Sequence, residues 1–196
     1  MKVLVACEFS GIVRDAFILA GCDALSCDFE PTERKGPHYQ GDVRDIIDNG
    51  FDIMIAHPPC THLAVSGARW FKDKRVEQKE ALDFVRLLMS ANIPKIAIEN
   101  PISIISSHIR KPDQIVQPYM FGDPFTKTTC LWLKNLPFLQ PTNIVDKGKR
   151  HITKSGRSLP EWYNIPPCEN RAKLRSKTFE GIAKAMAEQW GCFRTE

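Results

Sequence analysis

The sequence lacks the marks of a membrane protein and of a disulfide-stabilised secreted domain. It has no apolar run near the roughly 18 residues that cross a bilayer. Its seven cysteines include no C-x-x-C pair of the kind used by zinc ribbons and redox proteins. Internal repeats and low-complexity tracts are also missing. We therefore expect a non-repetitive chain that has at least some free thiols and no disulfide framework.

Composition and length favour one folded domain. The 196 residues are 43% hydrophobic and 26% charged, which are ordinary values for a globular protein. Residues 1–6 pass directly into Glu8 and Ser10, without a long apolar core or a small-residue cleavage site. This start predicts a first strand rather than a signal peptide. We therefore expect a cytoplasmic protein without membrane association.

Positive charge is concentrated in one C-terminal segment. Residues 140–177 hold nine Lys or Arg against three acidic residues, whereas the whole chain carries only +4. Such a stretch suits a polyanion such as nucleic acid. An ordinary solvated loop is the alternative interpretation.

Apolar runs typical of strands alternate with helical patterns along the chain. The predicted strands are 2–6, 24–27, 51–56, 95–98 and 129–133, and the predicted helices are 12–20, 74–91 and 179–190. This order predicts an α/β fold with βαβ units, a mainly parallel sheet and helices on both faces. Residues 134–175 are predicted to be a Pro-rich, basic loop. Ligands bind beyond the carboxyl ends of parallel strands, so the candidate site residues are those that follow the strands: Glu8–Gly11, Asp28, Asp42, His57–Cys60 and Glu99–Pro101.

A thiol follows one predicted strand directly, after two prolines. In His57-Pro58-Pro59-Cys60 the rigid prolines can hold an extended loop that aims Cys60 into a cleft. A nearby positive charge would favour the thiolate and make Cys60 a nucleophile. A structural turn with an incidental cysteine is the alternative. A metal site from His57, Cys60 and His62 is disfavoured because no compact ligand pairing accompanies them, so we predict no metal.

A carboxylate stands at the end of the next strand, in Glu99-Asn100-Pro101. Burial would raise the pKa of Glu99, as a general acid requires, although backbone donors can also satisfy a buried glutamate. A thiol and a proton-holding carboxyl at neighbouring strand ends suit attack on an electron-poor ring whose nitrogen is protonated.

These motifs resemble those of the cytosine-C5 DNA methyltransferases, in particular their short phage-type members. Phe9-Ser10-Gly11 resembles the first motif of that family, which shapes the pocket for S-adenosylmethionine. Asp28 falls where an acidic residue binds the ribose hydroxyls, and Gly41-Asp42-Val43 is similar to the motif whose aspartate contacts the adenine.

The catalytic motifs of that family have counterparts in the same order. Pro58-Pro59-Cys60 resembles the loop of the nucleophile, and Glu99-Asn100 resembles the motif that engages cytosine N3 and its amine. Lys127 is the one cation where the family has a strand that contacts the target base and the backbone. His57 is a further candidate near the substrate.

The resemblance implies a class I, Rossmann-like methyltransferase fold acting on DNA. Residues 1–133 and 176–196 would form the catalytic core, and 134–175 a short basic insertion for target recognition. Lys149 and Arg150 would contact the DNA there. The substrate is either single-stranded or a duplex with the base flipped out. A partner subunit or a second copy of the chain is left open as a source of further recognition surface.

Two other functions fit the same residues. The His57–Cys60 loop also resembles the Asp/Asn-Pro-Pro-Tyr loop of amino-methyltransferases, which hold an exocyclic amine and need no covalent step. A degenerate methyltransferase fold that only binds nucleic acid or a host protein is the non-enzymatic alternative.

Overall fold

A computed structural model describes residues 1–164, 168 and 171–191, without the side chains of Arg69, Trp70, Trp162 and Ala172. The strands of the main sheet are β1 (Lys2–Ala6), β2 (Asp23–Asp28), β3 (His38–Gln40), β4 (Ile53–Ala56), β5 (Lys95–Asn100), β6 (Gln114–Val116) and β7 (Thr129–Lys134). A separate hairpin contains β8 (Arg150–Ile152) and β9 (Ser158–Pro160). The helices are α1 (Ile12–Leu19), α2 (Arg75–Ser90), α3 (Ile105–His108), α4 (Arg171–Ser176) and α5 (Glu180–Trp190). None of these described helices has the length and apolar character of a bilayer span.

The strand order of the main sheet is β3-β2-β1-β4-β5-β7-β6. Strands β1 to β5 pair in parallel, and β7 runs antiparallel to both of its neighbours. The chain moves outward from β1 through β2 and β3 and then returns to β4 on the other side of β1. The predicted mainly parallel α/β sheet is therefore confirmed. The reversal leaves a crevice beyond the carboxyl ends of β1 and β4, where ligands of such sheets bind.

Apolar side chains cover both faces of the sheet. In β1, Val3 and Val5 pack with the cluster that includes α1 and α5, whereas Leu4 and Ala6 pack with the cluster that includes α2. Successive strand residues point to opposite faces, so a strand buried on both sides is apolar throughout. Helices on both faces, as predicted, close the two cores.

The prediction of a loop over 134–175 is wrong in part. Within the described part of that segment, the structure has the β8-β9 hairpin and α4. The hairpin turns at Gly156, which has φ 78°, and Thr153 N–H donates to Arg157 O at 2.9 Å. Strands of three residues show no measurable periodicity in sequence, and the same limit concealed β3. The domain boundaries therefore rest on the resemblance alone.

Candidate active site at the carboxyl edge of the sheet

The turn between β1 and α1 is shaped by a buried carboxylate and a glycine. Glu8 accepts the backbone N–H of Val13 at 2.7 Å and of Arg14 at 3.2 Å. These N–H groups lie in the first turn of α1, where they have no partner within the helix. Gly11 has φ 73°, and a Cβ there would lie 2.5 Å from the Arg14 guanidinium. The turn therefore requires glycine at 11, as the sequence motif implies.

Arg14 is a buried cation that sequence analysis did not single out. Its guanidinium donates to Ser26 Oγ and Thr32 Oγ1, each at 3.1 Å, and to Arg34 O at 2.9 Å. It also pairs with Asp15 at 2.7 Å. Arg14 thus fastens the loop that follows β2 to the first helix. The sequence pattern carries no clear signal for this burial, because Arg14 is two residues from both Ile12 and Ala16 and so lies off the helix face that they mark.

The loop after β2 is also held by α4. Lys173 Nζ lies 4.7 Å from the ring centre of Phe9 and within 3.8 Å of Glu30 and Glu33. Lys177 forms a further ion pair with Glu33. These two cations of the basic segment therefore neutralise acidic groups of the same chain. The ring of Phe9, a predicted cofactor residue, lies under the Lys173 ammonium.

A cavity of about 640 Å³ lies beyond β1, β2 and β3. Its lining contains residues of the predicted motifs: Asp28, Gly41, Asp42, Val43 and Pro59. It also contains residues that the sequence analysis missed: Cys7, Cys27, Phe29, Arg44, Glu80, Asp83, Phe84 and Leu87. Phe84 and Leu87 lie off the buried stripe of α2 that Leu82, Val85 and Leu88 form. Apolar residues outside a core stripe were the available signal for a second contact surface.

The two predicted cofactor carboxylates differ in their present partners. Burial raises the pKa of Asp28, although the backbone N–H of Glu30, 3.0 Å from its Oδ1, acts in the opposite direction. Asp42 makes a bidentate ion pair with Arg44 and caps the following helical turn, with Arg44 N–H 2.9 Å from Oδ1. This hydrogen-bonded guanidinium lowers the pKa of Asp42. Asp28 has the weaker set of partners, whereas Asp42 is engaged by Arg44.

His57 and Glu99 meet at the ends of β4 and β5. The register pairs Ala56 with Ile98, so the next residues of both strands stand side by side. His57 Nδ1 donates to Glu99 Oε2 at 3.1 Å, and the two side chains are only 9% and 11% exposed. Burial raises the pKa of Glu99, but the hydrogen bond from His57 and the charge of Lys127 outweigh it and leave the pKa below its ordinary value. The predicted upward shift is wrong.

The Cys60 loop is tied to the same strand end. Asn100 Nδ2 donates to the carbonyl of buried Pro58 at 2.8 Å, and the carbonyl of Cys60 accepts the N–H groups of Leu63 and Ala64 at 3.0 and 2.8 Å. These bonds fix the backbone on both sides of the thiol. Cys60 is half-buried.

Two cations moderate the reactivity of Cys60. Burial and the charge of Glu99 raise the pKa of the thiol, whereas Lys127 and Arg175 lower it. Lys127 Nζ donates to the carbonyls of Arg175 and Lys177 at 3.1 and 3.3 Å. Cys60, Glu99 and Lys127 therefore share one electrostatic environment. Arg175 was not predicted, because the fold of 171–177 was unknown from sequence.

The remaining predicted contacts lie on the hairpin. Lys149 and Arg150 are exposed. The Arg150 guanidinium donates across the hairpin to Ser158 Oγ at 2.9 Å and Ser158 O at 2.8 Å. Some of the N–H donors of Arg150 are therefore used within the hairpin. Exposed Lys149, Lys154 and Arg157 add positive charge around it.

Comparisons with solved structures show the fold of this chain. No protein-family model and no curated protein matches the sequence. Among solved structures, the chain is similar to a prophage-encoded Escherichia coli protein that carries the provisional description of a DNA modification methyltransferase. The TM-score is 0.52 at 19% identity, over 74% of this chain and 52% of that one. The fold is Rossmann-like, as in that protein. The present chain covers only about half of the length of its neighbour.

Proposed function

We propose that this protein is a DNA methyltransferase that transfers a methyl group from S-adenosylmethionine to cytosine C5 through a covalent Cys60 adduct. The observation that supports the proposal most is the joint placement of a thiol and a carboxylate. Cys60 lies in the loop after β4, Glu99 lies at the end of the adjacent strand β5, and the Asn100–Pro58 hydrogen bond of 2.8 Å ties that loop to β5. A cytosine bound between them would have the Cys60 nucleophile next to its C6 and the Glu99 carboxyl group next to its N3.

The chemistry requires both groups because cytosine C5 is a weak nucleophile. Cys60 would add to C6, while Glu99 provides a proton or a hydrogen bond at N3. Electron density then reaches C5, which takes the methyl group. Loss of the C5 proton and expulsion of Cys60 restore the aromatic ring. Lys127 and Arg175 support the thiolate that the first step consumes and the last step regenerates.

The cavity suits the methyl donor that the resemblance implies. Its lining has four carboxylates, Asp28, Asp42, Glu80 and Asp83, against one guanidinium, Arg44. Asp42 pairs with Arg44, and Asp83 pairs with Lys79 and Arg86 outside the lining. Asp28 and Glu80 then favour a ligand with positive charge, such as a sulfonium, over a nucleotide phosphate.

Asp28 would hold the ribose hydroxyls and Asp42 the adenine. The other predicted cofactor residues, Phe9, Gly11 and Pro58, do not line this cavity. S-adenosylmethionine supplies the activated methyl group when bound.

The basic segment supports DNA as the substrate. We assign residues 1–133 and 176–196 to the catalytic core and 134–175 to a short recognition insertion. Exposed Lys149, Lys154 and Arg157 on and around the hairpin can contact phosphates, with Arg150 contributing through its remaining donors. The target cytosine must leave the base stack or come from a single strand, since Cys60 attacks the face of the ring.

The first prediction concerns covalent trapping. In 5-fluorocytosine, fluorine replaces the hydrogen at C5, so no proton can leave C5 after methyl transfer. In the presence of S-adenosylmethionine the enzyme should therefore remain attached to DNA that contains this base. We expect a denaturation-resistant protein–DNA adduct with the wild-type protein and with Cys168→Ser, which alters an exposed cysteine. Cys60→Ser should give none.

Other outcomes separate the alternatives. Methylation of ordinary DNA without an adduct would favour an amino-methyltransferase. DNA binding with neither methylation nor adduct would favour a non-enzymatic binding protein. An adduct that persists in Cys60→Ser would contradict the assignment of the nucleophile.

A further inference from the structure

The contact between His57 and Glu99 provides the partner that sequence analysis did not foresee for this glutamate. The two residues are 42 positions apart, yet their side chains lie on the same side of neighbouring strands, 3.1 Å apart. Both are almost wholly shielded from water. In such a setting a single N–H donor can decide how a carboxylate is oriented and whether it is ionised.

The other ring nitrogen of His57 is closed off. Nε2 is buried and has no hydrogen-bond partner within the described part of the chain. A proton on Nε2 would be a buried donor without an acceptor, which is costly. The arrangement therefore favours the tautomer with its proton on Nδ1, because that proton has an acceptor in Glu99. His57 does not present a free nitrogen to a ligand, so its effect passes through Glu99.

The other groups that act on Glu99 come from three further segments. Lys127, just before β7, favours the carboxylate through its positive charge. Cys60, after β4, and Cys130, on β7, are both electrostatically coupled to Glu99, and burial raises the pKa of each thiol, that of Cys130 to about 11. Both thiols are therefore uncharged near neutral pH. Within the part of the chain that the structure describes, His57 makes the side-chain hydrogen bond to the Glu99 carboxylate.

We propose that His57 is a positioning residue whose Nδ1–H holds Glu99 as an oriented carboxylate, so that Glu99 works as the hydrogen-bond acceptor for a protonated N3. The inference rests on the proposed function for the identity of the base and extends it by choosing between the two roles of Glu99. A resting carboxylic acid would have delivered its own proton to N3. In the oriented-carboxylate arrangement, N3 takes a proton from solvent as the base binds, Glu99 accepts the N3–H hydrogen bond, and the proton returns to solvent when the product leaves.

The chain permits a matched set of variants at His57. His57→Asn places an amide N–H close to the position of Nδ1 and preserves the donor. His57→Gln extends the amide toward the position of Nε2, and His57→Phe removes the donor while keeping a planar ring. Only the first should preserve the contact with Glu99.

The direct test follows the Glu99 carboxyl carbon by NMR titration of the free protein, with Glu99→Gln used for assignment. In the wild type and His57→Asn, we expect Glu99 to titrate below the ordinary glutamate range. In His57→Gln and His57→Phe its midpoint should rise, because burial is no longer opposed by the hydrogen bond. An unchanged midpoint in both donor-lacking variants would overturn the inference. If His57→Phe does not fold, His57→Gln alone decides.

The second test follows the pH dependence of methyl transfer in the same proteins. His57→Gln and His57→Phe should lose about 10- to 100-fold in kcat/KM, the usual effect of removing a partner that orients a functional ligand. The acidic limb of their kcat/KM–pH profile should move to higher pH. In His57→Asn both the kcat/KM and the position of this limb should be close to those of the wild type. Equal losses of kcat/KM in all three variants, with the acidic limb of the pH profile unchanged, would contradict the positioning role of His57. Failure of the proposed function appears separately, as a wild-type protein without an adduct but with the predicted Glu99 titration.

Discussion

At the scale of single residues, the site balances burial against charge. Burial suppresses the thiolate of Cys60, and the neighbouring Glu99 carboxylate adds to that suppression, whereas Lys127 and Arg175 oppose both. A thiol of this kind stays largely protonated until a substrate or a conformational change alters its surroundings.

The pH dependence of Cys60 reactivity follows from this balance. Because its pKa is raised, alkylation of Cys60 by iodoacetamide should still accelerate as pH rises past the ordinary thiol range. Lys127→Met removes a charge that lowers the pKa, so alkylation near neutral pH should slow several-fold. Mass spectrometry of the Cys60 peptide measures the rate. Lys147→Met serves as the control, since that ammonium lies over Tyr119, 5.4 Å from the ring centre. Identical pH profiles for Lys127→Met and the wild type would contradict the assigned coupling.

The catalytic roles of Cys60 and Glu99 remain predictions from sequence, whereas the expected direction of the Glu99 pKa shift was wrong. Burial of Glu99 follows from an apolar strand, so an upward pKa shift was the reasonable expectation. The partner that reverses the shift lies 42 residues earlier, and only the pairing of β4 with β5 brings it within 3.1 Å. The same limit applies to Arg14, whose partners Ser26, Thr32 and Arg34 belong to another strand and its loop.

At the scale of elements, the site is assembled by turns and short segments on a regular sheet. The β1–α1 turn depends on Glu8 and Gly11, and α4 reaches back to the loop after β2 through Lys173. Long elements such as α2 were predictable because their apolar residues recur every three to four positions. Short elements such as β3 and the β8-β9 hairpin were not, since three residues carry too little pattern.

The hairpin gives a prediction about DNA binding. Each phosphate contact that is lost should reduce the slope of log binding constant against log salt by about 0.9 for a duplex, or about 0.7 for a single strand. We expect Lys154→Gln and Arg157→Gln to change the slope in this way in fluorescence-anisotropy titrations. Lys184→Gln on α5, whose ammonium is exposed and pairs with Glu188, controls for the loss of one charge. Equal slopes for all three variants and the wild type would argue against the hairpin as a phosphate-binding surface.

At the scale of the whole molecule, the order of the strands decides where chemistry can occur. Successive strands are added on one side of β1 up to β3 and on the other side from β4, which opens a crevice between β1 and β4. Parallel pairing gathers the ends of β1, β2, β4 and β5 along one edge. The alternation of strands and helices was enough to predict this edge and the turns that follow its strands. It could not predict that α2 forms a wall of the cavity, where Phe84 and Leu87 are part of the lining.

Transfer of a labelled methyl group tests the central claim most directly. The protein is incubated with DNA and S-adenosylmethionine that carries an isotopic label in its methyl group, and the DNA is then digested to nucleosides. The account predicts labelled 5-methyldeoxycytidine with the wild-type protein and none with Cys60→Ser. Label in N4-methyldeoxycytidine or N6-methyldeoxyadenosine, or undiminished 5-methyldeoxycytidine with Cys60→Ser, would contradict it.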